Sequence, residues 1–318
     1  MNLDDVTALL SANGAEPRGG GTDLTARQRI GRATGPFIDL GGVRELHGIR
    51  WLADGSARIG AMTTVAALAT DPTLRAAYPG LTGTAAGLAT PQIRAAGTLG
   101  GNLLQRNRCW YYRNPLFACF QTGGHGCPAR AGAHLYATVI DQGPCVAPHP
   151  SSIAMGLLAY GAQVMINGRG GARSMPVADL YGDGSDPTRD HLLAPAEVLT
   201  AVELPAPTPG ERAAYHRAIA RAEAEWPLVE AVARLVLDGG TITTAAVAVG
   251  GVARTPLRLP EVEDALVGRE ATAATLQTAA AAAMKRCAPL PQTGYKVALL
   301  RDTVVEVLER AADGRRPD

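Results

Sequence analysis

Four of the chain's five cysteines, Cys109, Cys119, Cys127 and Cys145, fall in one stretch between Ala96 and Ser152, and the fifth, Cys287, lies far from them. Thiols clustered in this way point to metal or redox work in a reducing compartment rather than to a secreted disulfide framework. Directly ahead of them runs a glycine turn, Thr98-Leu99-Gly100-Gly101-Asn102. An earlier one is Pro17-Arg18-Gly19-Gly20-Gly21-Thr22-Asp23-Leu24. Successive glycines free the backbone for positive φ and expose consecutive N–H groups, which makes an anion cradle; a helix start behind it strengthens the pull. Neither turn has the Rossmann spacing, and the lysine of a P-loop is missing. A phosphate cradle running into a thiol cluster reads as two redox cofactors held next to each other.

The spacing Cys-x9-Cys-x7-Cys-x17-Cys matches neither the paired cysteines of zinc ribbons nor the compact run of bacterial ferredoxins. Other features favour an iron–sulfur centre. Between Gln105 and Cys145 stand Arg106, Arg108, Arg113 and Arg130, against Asp141 alone. Such cations would offset an anionic cluster and raise its reduction potential. Trp110, Tyr111, Tyr112 and Phe120 could wall it from water. Two other readings stay open: four buried free thiols, and zinc, because His125, His134 and His149 sit among the cysteines. His149, between two prolines, reads as a structural hydrogen-bonder rather than a ligand.

These residues need elements to hold them. A length of 318 residues suggests about two domains, and 47% hydrophobic residues are enough for a sizeable core. A net charge of +1 gives no pull toward nucleic acid or an anionic membrane. No apolar run approaches the roughly 20 residues of a membrane span. Met1-Asn2-Leu3-Asp4-Asp5 carries acid where a signal peptide needs base, so a soluble protein of the cytoplasm is expected, with export alongside a partner left open.

The pattern predicts helices at Leu3 to Ala12, Leu24 to Ile30 (capped by Thr22 or Asp23), Thr64 to Ala69 and Leu81 to Ala89. It predicts strands at Pro36 to Leu40 and Leu46 to Ile49, and a hairpin around Asp54-Gly55. Residues 105–150 form a long loop without periodicity, which needs a function or an internal staple. A helix at Ser152 to Gly161 and strands at Ala162 to Ile166, Ala172 to Met175 and Val198 to Leu204 come next. Then comes Pro205-Ala206-Pro207-Thr208-Pro209-Gly210, the best domain boundary. Beyond it are a strand at Ala213 to Ala220, a helical start at Trp226 to Arg234, a hairpin around Asp238-Gly239-Gly240 and helical sequence from Pro260 to Met284. An amphipathic helix at Tyr295 to Ala312 precedes the polar tail Gly314 to Asp318.

Gly20-Gly21-Thr22-Asp23-Leu24, Arg58-Ile59-Gly60-Ala61, Gln92-Ile93-Arg94, Thr98-Leu99-Gly100-Gly101-Asn102 and His149-Pro150-Ser151 occur together in that order. So do Gly250-Gly251-Val252-Ala253-Arg254-Thr255-Pro256 and Thr293-Gly294-Tyr295-Lys296. As a set they resemble the FAD-binding medium subunit of the xanthine dehydrogenase, or molybdenum hydroxylase, family. The run Leu103 to Tyr111 with three later cysteines is similar to a branch whose flavin subunit also carries a [4Fe-4S] cluster, as in aldehyde oxidoreductase and 4-hydroxybenzoyl-CoA reductase.

The resemblance implies an α+β chain. A PCMH-type (vanillyl-alcohol-oxidase-like) two-part FAD-binding domain would span 1–204, with subdomains of about 1–50 and 51–204 and the cluster loop at 105–150; a smaller C-terminal α+β flavoprotein domain would span 210–318. It implies FAD held by Arg18, Gly19, Gly20, Gly21, Thr22, Asp23, Leu24, Thr98, Gly100, Gly101, Asn102, Gln105, Ser152 and Arg217, and a [4Fe-4S] cluster on Cys109, Cys119, Cys127 and Cys145. It also implies a large molybdopterin subunit where substrate is oxidised, a small [2Fe-2S] subunit, and an external electron acceptor. No acid–base catalyst is expected on this chain, because the flavin carries the chemistry. A free-standing flavin oxidase, or an iron–sulfur scaffold without FAD, are the rival functions. The departures from the family are Ser152 where aspartate is usual, Ala95 where asparagine is usual, Arg217 where lysine is usual, and no first N-terminal strand. On the sequence alone Ser152 is the weak point of flavin binding, and Ser152→Asp is the substitution that tests it.

Overall fold

The structure is a computed structural model that describes residues 1–314; most of the polar tail lies outside the described residues. Gln163–Gly168 buries Val164 and Ile166 on one side, whereas Val198–Leu204 is buried on both, Leu199, Val202 and Leu204 facing one core and Val198 another. They form the middle of a five-stranded antiparallel sheet in the order Ile49–Trp51, Ala57–Gly60, Val198–Leu204, Gln163–Gly168, Gly171–Pro176. Helices Val65–Thr70, Pro79–Ala86, Leu99–Leu103 and Ser152–Ala159 close one core with it, around Ile59, Leu68, Leu81, Leu99, Ile153, Val164 and Val202.

Ahead of this lies a small unit. Helix Leu3–Asn13 is capped by a reciprocal Asn2–Asp5 pair and ended by Gly14 in the left-handed region. It packs on the parallel pair Glu16–Arg18 and Phe37–Asp39 through Val6, Leu10, Ile38 and Leu40. The C-terminal part is a four-stranded antiparallel sheet in the order Leu257–Arg258, Thr241–Gly250, Val229–Asp238, Glu211–Ala218. Helix Tyr295–Asp313 lays Leu300, Val304, Val307 and Leu308 into its core, beside Pro260–Leu266 and Ala273–Ala281.

Ser152–Ala159 joins the halves. Its sequence shows no polar face because it has none to show: Ile153 and Leu157 enter the first core, while Met155 and Ala159 meet Tyr215, Val232 and Ala248 of the C-terminal sheet.

Some expectations change. Residues from Trp226 are not helical: Val229–Asp238 is a strand with partners on both sides, buried without a break from Val229 to Ala233. A continuous apolar run of that kind has no period that separates a central strand from a buried helix. The helical stretch after Pro260 breaks at Gly268, which has φ +78°. Leu46 ends a short 3-10 turn, Arg44–Leu46, and the strand begins only at Ile49. The helix after the first glycine turn starts at Thr22 with Gly21 at its N-cap, so Thr22 and Asp23 sit inside its first turn and do not cap it.

Met155 is fully buried where the halves meet. Met155→Ala should therefore cost about 2–5 kcal/mol in urea unfolding, whereas Leu9→Ala, at an exposed site, should stay within about 0.5 kcal/mol.

Candidate functional site

The two glycine turns lie against each other. A Cβ on Gly20 would overlap the Ala96 carbonyl oxygen, and one on Gly19 would come within 2.7 Å of Thr98 Oγ1. These two glycines serve close approach, and only Gly21 uses the positive φ (+74°) that three glycines in a row suggest. Gly21 opens helix Thr22–Arg29 with no side-chain cap bond, so the first-turn N–H groups are left to another acceptor. In the second turn Thr98 Oγ1 accepts from Gly101 N.

Two clefts meet over these turns, of about 630 and 260 Å³, and share Thr22, Asp23, Thr98, Gly101 and Gln105. The larger runs on past Arg106, Asp190, His191 and Leu199. The smaller runs on past Asn102, Arg108, Ser152, Arg217 and Trp226, between the halves of the chain. Of the residues singled out in the sequence, Gly19, Gly20, Gly21, Leu24 and Gly100 line the larger cleft, and Asn102, Ser152 and Arg217 the smaller. Arg18 lines neither; its guanidinium is at the surface, 4.0 Å from Asp39.

Asp23 has a different role from the expected cap. Its carboxylate lies 2.8 Å from both Arg108 and Arg113 and 3.1 Å from Arg27, and it accepts from Arg106 N. Burial pushes its pKa up, but the Arg108 and Arg113 guanidiniums outweigh that and hold it below the usual carboxylate range. Arg108 in turn stacks 4.5 Å over the Trp226 ring, and burial draws its pKa down to about 10.

Asp190 was not visible in the sequence; no motif surrounds it. It is buried and accepts from Arg106 Nε, Asn107 N, Gln121 Nε2 and Arg254 Nη1 at 2.8–3.1 Å. Burial alone would raise its pKa; Arg106 and Arg254 reverse the sign and depress it strongly. Arg254 lies in the recognised Gly-Gly-Val-Ala-Arg-Thr-Pro run, which was the available signal.

The cysteine loop holds three short helical turns, Trp110–Arg113, Phe120–Thr122 and Pro128–Ala131. It brings Cys109, Cys119, Cys127 and Cys145 to the wall of one small cavity, with Tyr111, Tyr112, Phe120 and Pro187. Burial pushes the Cys109 thiol up, against neighbouring backbone N–H groups that favour its thiolate; backbone N–H groups act in the same direction at Cys127 and Cys145. The Cys145 thiol lowers the Cys127 pKa. Among the described residues, no three His, Cys, Asp or Glu side chains converge as the ligands of a single ion. His134 spends Nδ1 on the Ala129 and Gly132 carbonyls and accepts at Nε2 from Gln292 N. His149 packs edge-on to Tyr181 at 4.3 Å, and burial pulls its pKa to about 3, so it is neutral. No described helix is long and apolar enough to cross a membrane.

Residues 1–207 match the family described as the FAD binding domain in molybdopterin dehydrogenase, and residues 213–313 the CO dehydrogenase flavoprotein C-terminal domain. The chain is 33% identical to the aldehyde oxidoreductase FAD-binding subunit PaoB of Escherichia coli (strain K12), over 96% of this chain and 94% of that one. It is 30% identical to the carbon monoxide dehydrogenase medium chain of Afipia carboxidovorans, over 91% and 85%. Among solved structures, quinoline 2-oxidoreductase from Pseudomonas putida 86 superposes with a TM-score of 0.77 at 26% identity, over 98% of this chain and 95% of that one.

Asp190 gives a test of the scaffold under these clefts. An unfolded aspartate protonates near about pH 3.9, and the folded carboxyl does so lower. Its stabilisation is therefore complete above that value and is lost as pH falls toward the folded pKa. Asp190→Asn leaves Arg106 and Arg254 without their carboxylate and should cost about 3–5 kcal/mol at neutral pH. Urea unfolding of both proteins should show the gap narrowing below about pH 4.

Proposed function

The chain belongs to the family of FAD-binding oxidoreductase subunits of molybdopterin dehydrogenases, and on that premise we propose that it is the electron-transfer FAD subunit of a heterotrimeric molybdenum hydroxylase. The observation that carries this reading is the pair of clefts joined over two apposed glycine turns. An elongated dinucleotide needs that shape: an anion cradle in the middle and room on either side.

The residues fit the group. Arg108 lines the smaller cleft and His191 the larger, and among the described residues Arg108 Nε and His191 Nδ1 are buried without a hydrogen-bond partner; buried polar atoms of that kind call for a ligand or water. The first-turn N–H groups behind Gly21 would hold the pyrophosphate; the turn Thr98 to Asn102 would wall it, its own N–H groups being given to Thr63, Ala61 and Thr98. His191 would face the adenosine side, and Arg108, Ser152, Arg217 and Trp226 the flavin side. Asp23 fixes the guanidiniums of Arg108 and Arg113 rather than touching phosphate. Bound FAD would take electrons singly from iron–sulfur centres and release them in pairs to an external acceptor. We further infer the PCMH-type two-part arrangement for residues 1–204 and the C-terminal flavoprotein domain for 210–318. We infer partners of the family's kind: a large molybdopterin subunit and a small [2Fe-2S] subunit.

The finer part of the proposal is a [4Fe-4S] cluster on Cys109, Cys119, Cys127 and Cys145. Its support is that the four thiols wall one small cavity, with backbone N–H groups nearby that favour their thiolates. A zinc ion would need its thiolates drawn to about 2.3 Å of one point; among the described residues no three such side chains converge for a single ion, and it is the family resemblance of the loop that favours the cluster over zinc. Of the histidines that favoured zinc, His134 has both ring nitrogens engaged elsewhere.

The full chain purified without oxygen should show resolved flavin bands over a broad iron–sulfur absorption, with one FAD and about four irons and four sulfides per chain. Cys145→Ala should lose the iron and keep the flavin. Protein without flavin after incubation with FAD would sink the proposed function; flavin without iron, or zinc in place of iron, would sink the cluster alone.

A further inference from the structure

The smaller cleft ends at Ser152, and behind Ser152 lies a carboxylate that nothing so far has used. Glu230 is 2% exposed, at the start of strand Val229–Asp238, an inner strand of the C-terminal sheet. Its cross-strand neighbours are Arg217 on one side and Gly250 on the other. A Cβ on Gly250 would come within 2.6 Å of Glu230 Oε1, so that glycine gives the carboxylate its room. Tyr215 donates to Glu230 Oε2 at 2.8 Å in a fully buried bond. Ser152, on the helix packed against this strand, places its hydroxyl beside the Tyr215–Glu230 pair, and both it and the Arg217 cation favour the Glu230 carboxylate. Burial pushes its pKa up, as expected where a charge leaves water.

A charged residue buried in an inner strand is a poor choice for stability, since an apolar side chain of like volume does as well or better there. Here the carboxylate has its space and its hydroxyl partners built in, and one of those partners is a wall of the cleft. We propose that Glu230 and Ser152 work as one unit to present a hydrogen-bond acceptor to the flavin nucleotide: Ser152 donates its hydroxyl proton to Glu230 and turns its oxygen lone pairs into the cleft. A hydroxyl held in that way accepts a hydrogen bond where a carboxylate would, without carrying its charge. The acid that the family resemblance leads one to expect at position 152 is then displaced, not lost: it comes across the interface from the C-terminal sheet. This rests on the reading that the smaller cleft takes the flavin end of FAD.

The consequence for Ser152→Asp is opposite to the expectation from sequence. With Glu230 in place, the substitution sets two carboxylates one hydrogen bond apart in a buried site, where both cannot ionise without cost. Glu230→Gln changes the unit in another way. The amide can donate to Ser152, and the hydroxyl then turns its proton to the cleft.

The test is the dissociation constant for FAD of the full chain stripped of flavin, read by fluorescence on titration with FAD, together with the unfolding midpoint of each flavin-free variant. Glu230→Gln should weaken FAD at least about tenfold with little change in the flavin-free midpoint, the loss expected for one hydrogen bond to a charged group. Ser152→Asp alone should also weaken it. The double variant Ser152→Asp with Glu230→Ser moves the acid back and should return to within about threefold of the parent. A structural role for Glu230 would lower the flavin-free midpoint and give no such recovery. Glu230→Gln with unchanged affinity, or Ser152→Asp alone binding more tightly, overturns the proposal. A parent chain that binds no FAD overturns the reading beneath it.

Discussion

One buried carboxylate holds the parts of this chain in register. Asp190 receives Arg106 and Asn107 from the end of the second glycine turn, Gln121 from the cysteine loop and Arg254 from the C-terminal half. Each of these lies in a segment with few regular hydrogen bonds of its own. Burying Asp190 costs desolvation, which only good geometry repays. That cost is also why the site specifies: a carboxylate with two guanidiniums and two amide donors has no second arrangement of similar energy. Asp23 repeats the device on the other side of Arg106 and Arg113, with Arg108 added. The arginines that in sequence read as counter-charges for a cluster are, in the structure, first of all ties between segments.

This shifts what the local charge does. In the sequence, Arg106, Arg108 and Arg113 face only Asp141 within the loop, which suggests a net positive shell. In the fold, Asp23 and Asp190 come from outside the loop and meet them. Arg130 pairs with Asp141 itself. The arginines of the loop are therefore paired, and the influences that favour the thiolates include the Arg254 cation, at Cys145, and neighbouring backbone N–H groups. Such donors are fixed by the chain's course and do not screen away as exposed side chains do.

What could be read from sequence followed from chemistry that is local. The glycine turns, the Asp54-Gly55 and Asp238-Gly239-Gly240 hairpins and the last amphipathic helix are each specified within a few residues. The misread parts depend on partners far away. Val229–Asp238 is a strand because strands flank it on both sides, and its apolar run does not say so. Gly19 and Gly20 are small because Thr98 and Ala96 press on them. Asp190 sits in a long loop with no periodicity, and its function appears only when Arg106 and Arg254, 84 and 64 positions away, arrive. Glu230 is the same case: alone it is a charge in an apolar run, and only register with Arg217 and Gly250 explains it.

The two candidate cofactor sites are joined by a single peptide bond. Arg108 lines the smaller cleft and Cys109 lines the thiol cavity, and consecutive Cα atoms are only about 3.8 Å apart. Asn107, the residue before them, is pinned by Asp190 and returns a bond from its own side chain to Cys109 N. Arg113, at the end of the next turn, closes back on the Asn107 carbonyl and on Asp23. The segment 106–113 is thus clamped at both ends by buried carboxylates. A shift of either clamp would move the cleft wall and the first thiol together. Short separation between carriers is useful for electron transfer only if it is held constant; in the proposed arrangement the ion network, rather than regular secondary structure, would hold it.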